Sequence, residues 1–148
     1  MKIEYNNLYI HFVFTTFNRL PLIPEKHRQR IEKYITGIVN NTGCHLYAIY
    51  ANPEHVHFLV SIKPDIDIES LATIIANSSE RFINENRLCV GLFQWQESCS
   101  AFSVSKRGVD KVCKYILKQQ EHHKKMSYSQ EYDTFLKFYQ QTINRNLK

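Results

Sequence analysis

No cysteine in this 148-residue chain has a partner at Cys-x-x-Cys spacing. The four present, Cys44, Cys89, Cys99 and Cys113, lie far apart, each in or beside an apolar segment. That pattern argues against a zinc ribbon and against a secreted disulfide scaffold, and predicts reduced core residues. No stretch approaches the ~20 apolar residues of a membrane span. The opening MKIEYNNLYIHFVFTTFNR mixes Glu4, Asn6, Asn7 and His11 into its apolar run, unlike a signal peptide. Internal repeats, low-complexity tracts and long linkers are also missing. One soluble cytoplasmic domain over residues 1–148, without a membrane partner, is the expectation. Its 43% hydrophobic content is enough for a single core.

Acidic residues are outnumbered, 14 against 19 lysines and arginines, which gives a formal charge of +5 and a pI near 9.0. Such a balance suits an acidic partner such as nucleic acid. Its placement sharpens the point. Between Ser105 and Met126 stand Lys106, Arg107, Lys111, Lys114, Lys118, Lys124 and Lys125 against Asp110 and Glu121, so the whole excess sits in one segment.

Residues 8–16, LYIHFVFTT, are rich in aromatic and β-branched types and predict a first strand ended by the turn FNRLPLIP. From Glu25 to Asn41, Ile31, Tyr34, Ile35 and Ile38 recur at helical spacing, closed by Asn41 and Gly43. HLYAIYA and HVHFLVSI predict two strands of a hairpin turned at Asn52 and Pro53. A second helix capped by Asp67 runs through Leu71, Ile74, Ile75 and Phe82. LFQWQ and AFSVS predict one broken strand or two short ones, and a third helix is expected from Val109 to His123. A fourth begins at a Ser127 to Gln130 capping box, with Tyr132, Phe135, Leu136 and Tyr139 on one face. The order β, α, β, β, α, β predicts an α+β, ferredoxin-like (split βαβ) antiparallel sheet. Helices cover one face, further helices are appended at the C-terminus, and the other face is left free for a ligand.

Within NPEHVHFLVSI, His55 and His57 are separated by one valine, so on a strand their imidazoles share a face with roots ~7 Å apart. That is within reach of one metal ion or phosphate, although a structural role is as common for such a pair. On the basic third helix the apolar stripe is Val109, Val112, Cys113, Ile116 and Leu117. Tyr115 falls roughly 120° from its centre, with Gln119 one turn above. Tyr115 therefore stands at the border of the core, where it can reach into a cleft or simply hold its hydroxyl in water.

HVH at 55–57 followed by YILKQ at 115–119 closely resembles the HUH-type single-tyrosine transposases, which include small insertion-sequence transposases and REP-associated tyrosine transposases. The resemblance extends to IHFVFTTFNRLPLI, FQWQ with AFSVS, and HHKK with EYDTFLKFY, and so covers nearly the whole chain. It implies a DNA strand transferase in which His55, His57 and Gln119 bind a divalent metal and Tyr115 attacks DNA. Mg²⁺ or Mn²⁺ is the implied ion, and Zn²⁺, Co²⁺ or Ni²⁺ can substitute. The implied substrates are single-stranded DNA hairpins, and the implied assembly is a monomer or a homodimer whose tyrosine helix completes a site in cis or in trans. One departure is Cys99 in WQESCS, where the family pattern has an aromatic residue.

Arg19, Lys106, Arg107, Lys114 and Lys118 are candidates for DNA-backbone contacts, and Lys118 also for easing ionisation of Tyr115. His122, His123 and Lys124 either complement the end of the third helix or touch phosphates. Trp95 either stacks on an unpaired base or belongs to the core. His11 is expected as an ordinary sheet residue. Tyr128 is the rival nucleophile, while Tyr132 and Tyr139 belong to a packing stripe. Two other functions fit a ferredoxin-like sheet with these residues. One is a non-catalytic nucleic-acid-binding module, although the aromatic strand signature of RNA-recognition domains is missing. The other is a metal-dependent nuclease that uses water.

Overall fold

The computed structural model describes residues 1–134, 136 and 137, with His122 and Lys125 described by their backbone alone. The chain divides into two compact units, Met1–Leu117 and Lys118–Lys148.

The first unit holds strands β1 (Tyr9–Thr15), β2 (His45–Ala51), β3 (His55–Ser61) and β4 (Ser100–Val104), and helices α1 (Arg28–Asn41), α2 (Ile68–Glu85) and α3 (Val109–Leu117). The strands pair antiparallel in the order β2-β3-β1-β4, the ferredoxin-like topology that the sequence predicts. With β1 and β3 in the middle, their period of two sends alternate residues into two different layers. On one face Ile10, Phe12 and Phe14 of β1 and Val56, Phe58 and Val60 of β3 meet Ile31, Ile35 and Val39 of α1 and Leu71 and Ile75 of α2. The rings of Phe12 and Phe58 stack there at 5.1 Å.

The opposite face is not left open. Ala48, Leu59 and Val104 pack with Ile116 of α3, flanked by Val109, Val112, Cys113 and Tyr115, so α3 lies against β2 and β3. The expectation of a free second face is corrected, because the α3 stripe is itself apolar and must be buried somewhere. Leu117, counted in that stripe, is 61% exposed at the last position of the helix.

Helix α2 starts where expected. Asp67 accepts the Ser70 N–H and hydroxyl, each at 2.7 Å, which holds its carboxyl below the usual value. Helix α1 starts later than expected, after a 3-10 turn over Glu25–His27. Gly43 after it has φ 87°, and a Cβ there would come 2.9 Å from Lys63 Cδ. LFQWQ is not a strand. Only Trp95 bridges to Thr16, because the Asn84 side chain takes both backbone groups of Phe93, donating to its carbonyl at 2.9 Å and accepting its N–H at 2.8 Å.

The predicted third helix proves interrupted. Helix α3 stops at Leu117, and α4 (Gln119–Lys125) begins a new helix after Lys118, whose carbonyl accepts the Glu121 N–H at 3.0 Å. The Ser127 capping box forms: its N–H donates to Gln130 Oε1 at 3.0 Å, and its hydroxyl accepts the Gln130 N–H at 3.3 Å. Residues 128–134 are helical beyond it. Phe135 and Tyr139 of the predicted stripe lie outside the described residues. Among those described, no helix is long and apolar enough to cross a membrane.

Candidate functional site

The turn that feeds β3 is fastened at several points. The Asn52 N–H donates to the His55 carbonyl at 2.8 Å, and the Ile23 N–H to the Pro53 carbonyl at 3.0 Å. Thr16, fully buried, donates its N–H to the Glu54 carbonyl at 3.0 Å. Its hydroxyl points between the carbonyls of Leu20 at 2.6 Å and Glu54 at 3.1 Å. The backbone just ahead of the first histidine is therefore held by the residue that follows β1.

His55 and His57 project from the α3 side of the sheet, both essentially inaccessible to solvent, with ring centroids 4.9 Å apart. An amide nitrogen can only donate, so Asn52 Nδ2, 3.2 Å away, makes His55 Nε2 an acceptor. His55 Nδ1–H then donates to Glu54 Oε1 at 2.9 Å. This is the carboxylate–imidazole pairing that orients metal-binding histidines. His57 Nδ1 lies 2.8 Å from Nε2 of the buried His11. Two imidazoles on one strand face, each steadied through its Nδ1, are a donor set that fits a borderline divalent cation. His57 would reach it through Nε2, and His55 would do so once its Nε2 exchanged the Asn52 amide for the ion.

Tyr115 completes the cluster within this unit. Its half-buried ring lies 5.9 Å from that of His57 and 6.5 Å from that of His11, edge-on to both. Tyr50, the cross-strand partner of His57, has its hydroxyl pushed up by burial, while the Arg28 guanidinium 4.6 Å from its ring pulls the other way. Gln119 belongs to the second unit, where its Oε1 accepts from His123 Nε2 at 3.1 Å. The same nitrogen lies 3.0 Å from Glu131 Oε2. Both Gln119 and Glu131 are buried.

Lys106 and Arg107 stand exposed on a 3-10 turn before α3, Lys114 on α3, Lys118 at the break, Lys124 on α4, and Arg19 after β1. His123 is half-buried and turned to Gln119 and Glu131, and the side chain of His122 lies outside the described residues. Trp95 presents no open ring face. It is 6% exposed, packed edge-on against Phe14 and Phe93, and donates its indole N–H to Ser79 Oγ at 3.0 Å. Tyr128 is buried, 5.9 Å from the ring of Tyr132. Sequence reasoning missed His11, Glu54, Asn52 and Glu131. The one available signal was that His11, like His57, falls on the non-core parity of its strand.

A family described as Transposase IS200 like matches residues 4–119. The chain belongs to that family. The matched span takes in His55, His57, Tyr115 and Gln119 and leaves out residues beyond 119. Two solved structures share the transposase fold. One, assigned as a transposase of Deinococcus radiodurans R1, is 20% identical with a TM-score of 0.62, covering 80% of this chain and 96% of its own. The other, a REP-associated tyrosine transposase bound to a REP hairpin, is 15% identical with a TM-score of 0.60, covering 83% of this chain and 73% of its own. No curated protein sequence matches the chain significantly.

Proposed function

We propose that this transposase cuts and rejoins single-stranded DNA at hairpin-flanked sites, residues 1–148 acting as one domain. Tyr115 is the nucleophile, and His55, His57 and Gln119 hold a divalent cation, Mg²⁺ or Mn²⁺. The observation that carries this reading is the convergence of the Tyr115 ring on the buried histidine pair at 5.9 Å. A packing tyrosine gives no reason for two oriented imidazoles beside it.

When bound, the cation supplies withdrawal of charge from the phosphate oxygens and orientation of the phosphorus. The chain's own part follows from its groups. Tyr115 Oη, shielded from solvent, loses its proton as it forms a bond to phosphorus. The bond to the 3′ oxygen breaks, and that oxygen takes up a proton and leaves as a hydroxyl, so the step is neutral in protons overall. The phosphotyrosine keeps the bond energy, so a different 3′ hydroxyl reverses the step and joins new ends without ATP. Lys106, Arg107, Lys114, Lys118, Lys124 and Arg19, all exposed, suit backbone phosphates, which makes binding salt-dependent. The hairpin held by the REP-associated fold neighbour is consistent with such a substrate.

The test is incubation of the protein and its Tyr115→Phe variant with single-stranded hairpin oligonucleotides and Mn²⁺, read on denaturing gels and by mass spectrometry. A covalent adduct on Tyr115 is expected, lost in the variant and after chelation. Cleavage that persists in the variant points to a water-using nuclease and overturns the assignment. Binding without any adduct points to a non-catalytic module.

A further inference from the structure

Outside the residues assigned above, the most specific unexplained contact is that of His11. It is completely buried on β1, a polar side chain in the middle of the sheet. Its register partner is Leu59, and that of Val13 is His57, so His11 and His57 are diagonal neighbours on one face, within reach of long side chains. The rings meet with Nε2 of His11 2.8 Å from Nδ1 of His57, centroids 5.0 Å apart. Around His11 stand the ring edges of Phe102 at 6.3 Å and Tyr115 at 6.5 Å. A buried imidazole has a high cost unless its polar atoms are matched, so this contact is a built feature of the sheet.

We infer that His11 is a positioning residue for His57: its Nε2 accepts the Nδ1–H of His57, which fixes the tautomer whose Nε2 lone pair serves as ligand and locks the ring plane. The inference rests on the reading of His57 as a ligand. Two neutral imidazoles share one hydrogen across 2.8 Å, so one must donate and the other accept. Only with His57 as donor does its Nε2 remain basic. The same link sets the ring edge that His57 presents to Tyr115, so ligand and nucleophile are aligned from β1, a strand that supplies neither.

Three variants separate this role from simple packing. In His11→Gln the side-chain Oε1 falls where the imidazole Nε2 stood and can accept the same hydrogen. In His11→Asn the amide falls short, at the place of Nδ1. His11→Phe fills the volume without an acceptor. Circular dichroism and melting establish that each folds. Mn²⁺ affinity is then read by paramagnetic resonance, and the His57 tautomer by long-range ¹H–¹⁵N spectra of the metal-free protein. The expected result is an Nδ1–H tautomer for His57 in the wild type and a loss of Mn²⁺ affinity of about 10- to 100-fold in the Phe and Asn variants, with the Gln variant recovering most of it. A wild-type His57 found as the Nε2–H tautomer overturns the inference with no variant needed, as does Mn²⁺ binding equal in all four proteins. Tyrosine adduct formation is scored separately on the wild type. Its absence sinks the strand-transfer reading, while the tautomer and the manganese titration still decide the role of His11.

Discussion

Trp95, the sole tryptophan, offers a sharp contest between a packing role and a nucleic-acid role. Replacing it by phenylalanine removes the indole N–H that donates to Ser79 Oγ at 3.0 Å, a buried bond worth about 1 kcal/mol. Ser79 keeps its own donation to the Ile75 carbonyl at 2.6 Å, so its oxygen is not abandoned. The smaller ring also leaves a void on the order of 40 Å³ against Phe14 and Phe93, which at about 24 cal/mol per Å³ adds roughly 1 kcal/mol. The sum, about 2 kcal/mol, corresponds to a fall in Tm of about 4–8 °C for a chain of this size. The assay is urea denaturation followed by far-ultraviolet circular dichroism, beside a fluorescence-anisotropy titration with a labelled hairpin oligonucleotide. The DNA affinity of the folded variant is expected to stay within twofold of the wild type. Unchanged stability together with a tenfold loss of affinity would refute the argument and make Trp95 a stacking platform.

Thr16→Val keeps the shape of a fully buried side chain but loses the hydroxyl shared between Leu20 and Glu54. A stability loss of about 1 kcal/mol by urea denaturation is expected, with slower Tyr115 adduct formation because the turn ahead of His55 loosens. An unchanged adduct rate would remove Thr16 from the support of the site. Glu32 accepts from Arg28 and from the Ala51 N–H at 2.9 Å, and burial raises its carboxyl pKa above the usual value. A raised folded pKa means that its stabilising contribution is complete below the unfolded value, about 4.3, and is lost as pH rises through the folded value. The Tm of the wild type minus that of Glu32→Gln should therefore decline as pH rises from 4 towards neutrality. A difference that grows over that interval would contradict the assignment.

The strand halves of this fold were the more legible part of the sequence. A strict period of two in HVHFLVS puts His55, His57 and Leu59 opposite Val56, Phe58 and Val60 whatever the tertiary context, and the Asp67 cap is a local chemical signal. What could not be read depends on pairings between distant segments. His11 meets His57 only because β1 lies beside β3 in one particular register, and no periodicity within either strand encodes a diagonal contact. The break at Lys118 carries no glycine or proline, so helical spacing runs through it from Tyr115 to Gln119 without a warning. Glu131 carries no local signal of burial, yet it is buried beside His123. The second face looked open because a two-helix template leaves it open, whereas α3 brings its own apolar stripe.

Strand β3 is hydrogen-bonded on both edges and covered on both faces. Segments of that kind open only with the whole fold, so amide exchange along Val56–Val60 should be among the slowest in the molecule. The histidine pair is thereby tied to global unfolding, unlike sites carried on loops that breathe. Random substitutions that lower overall stability will rarely blur the geometry of this pair while the chain stays folded; they will remove it all at once, with the fold.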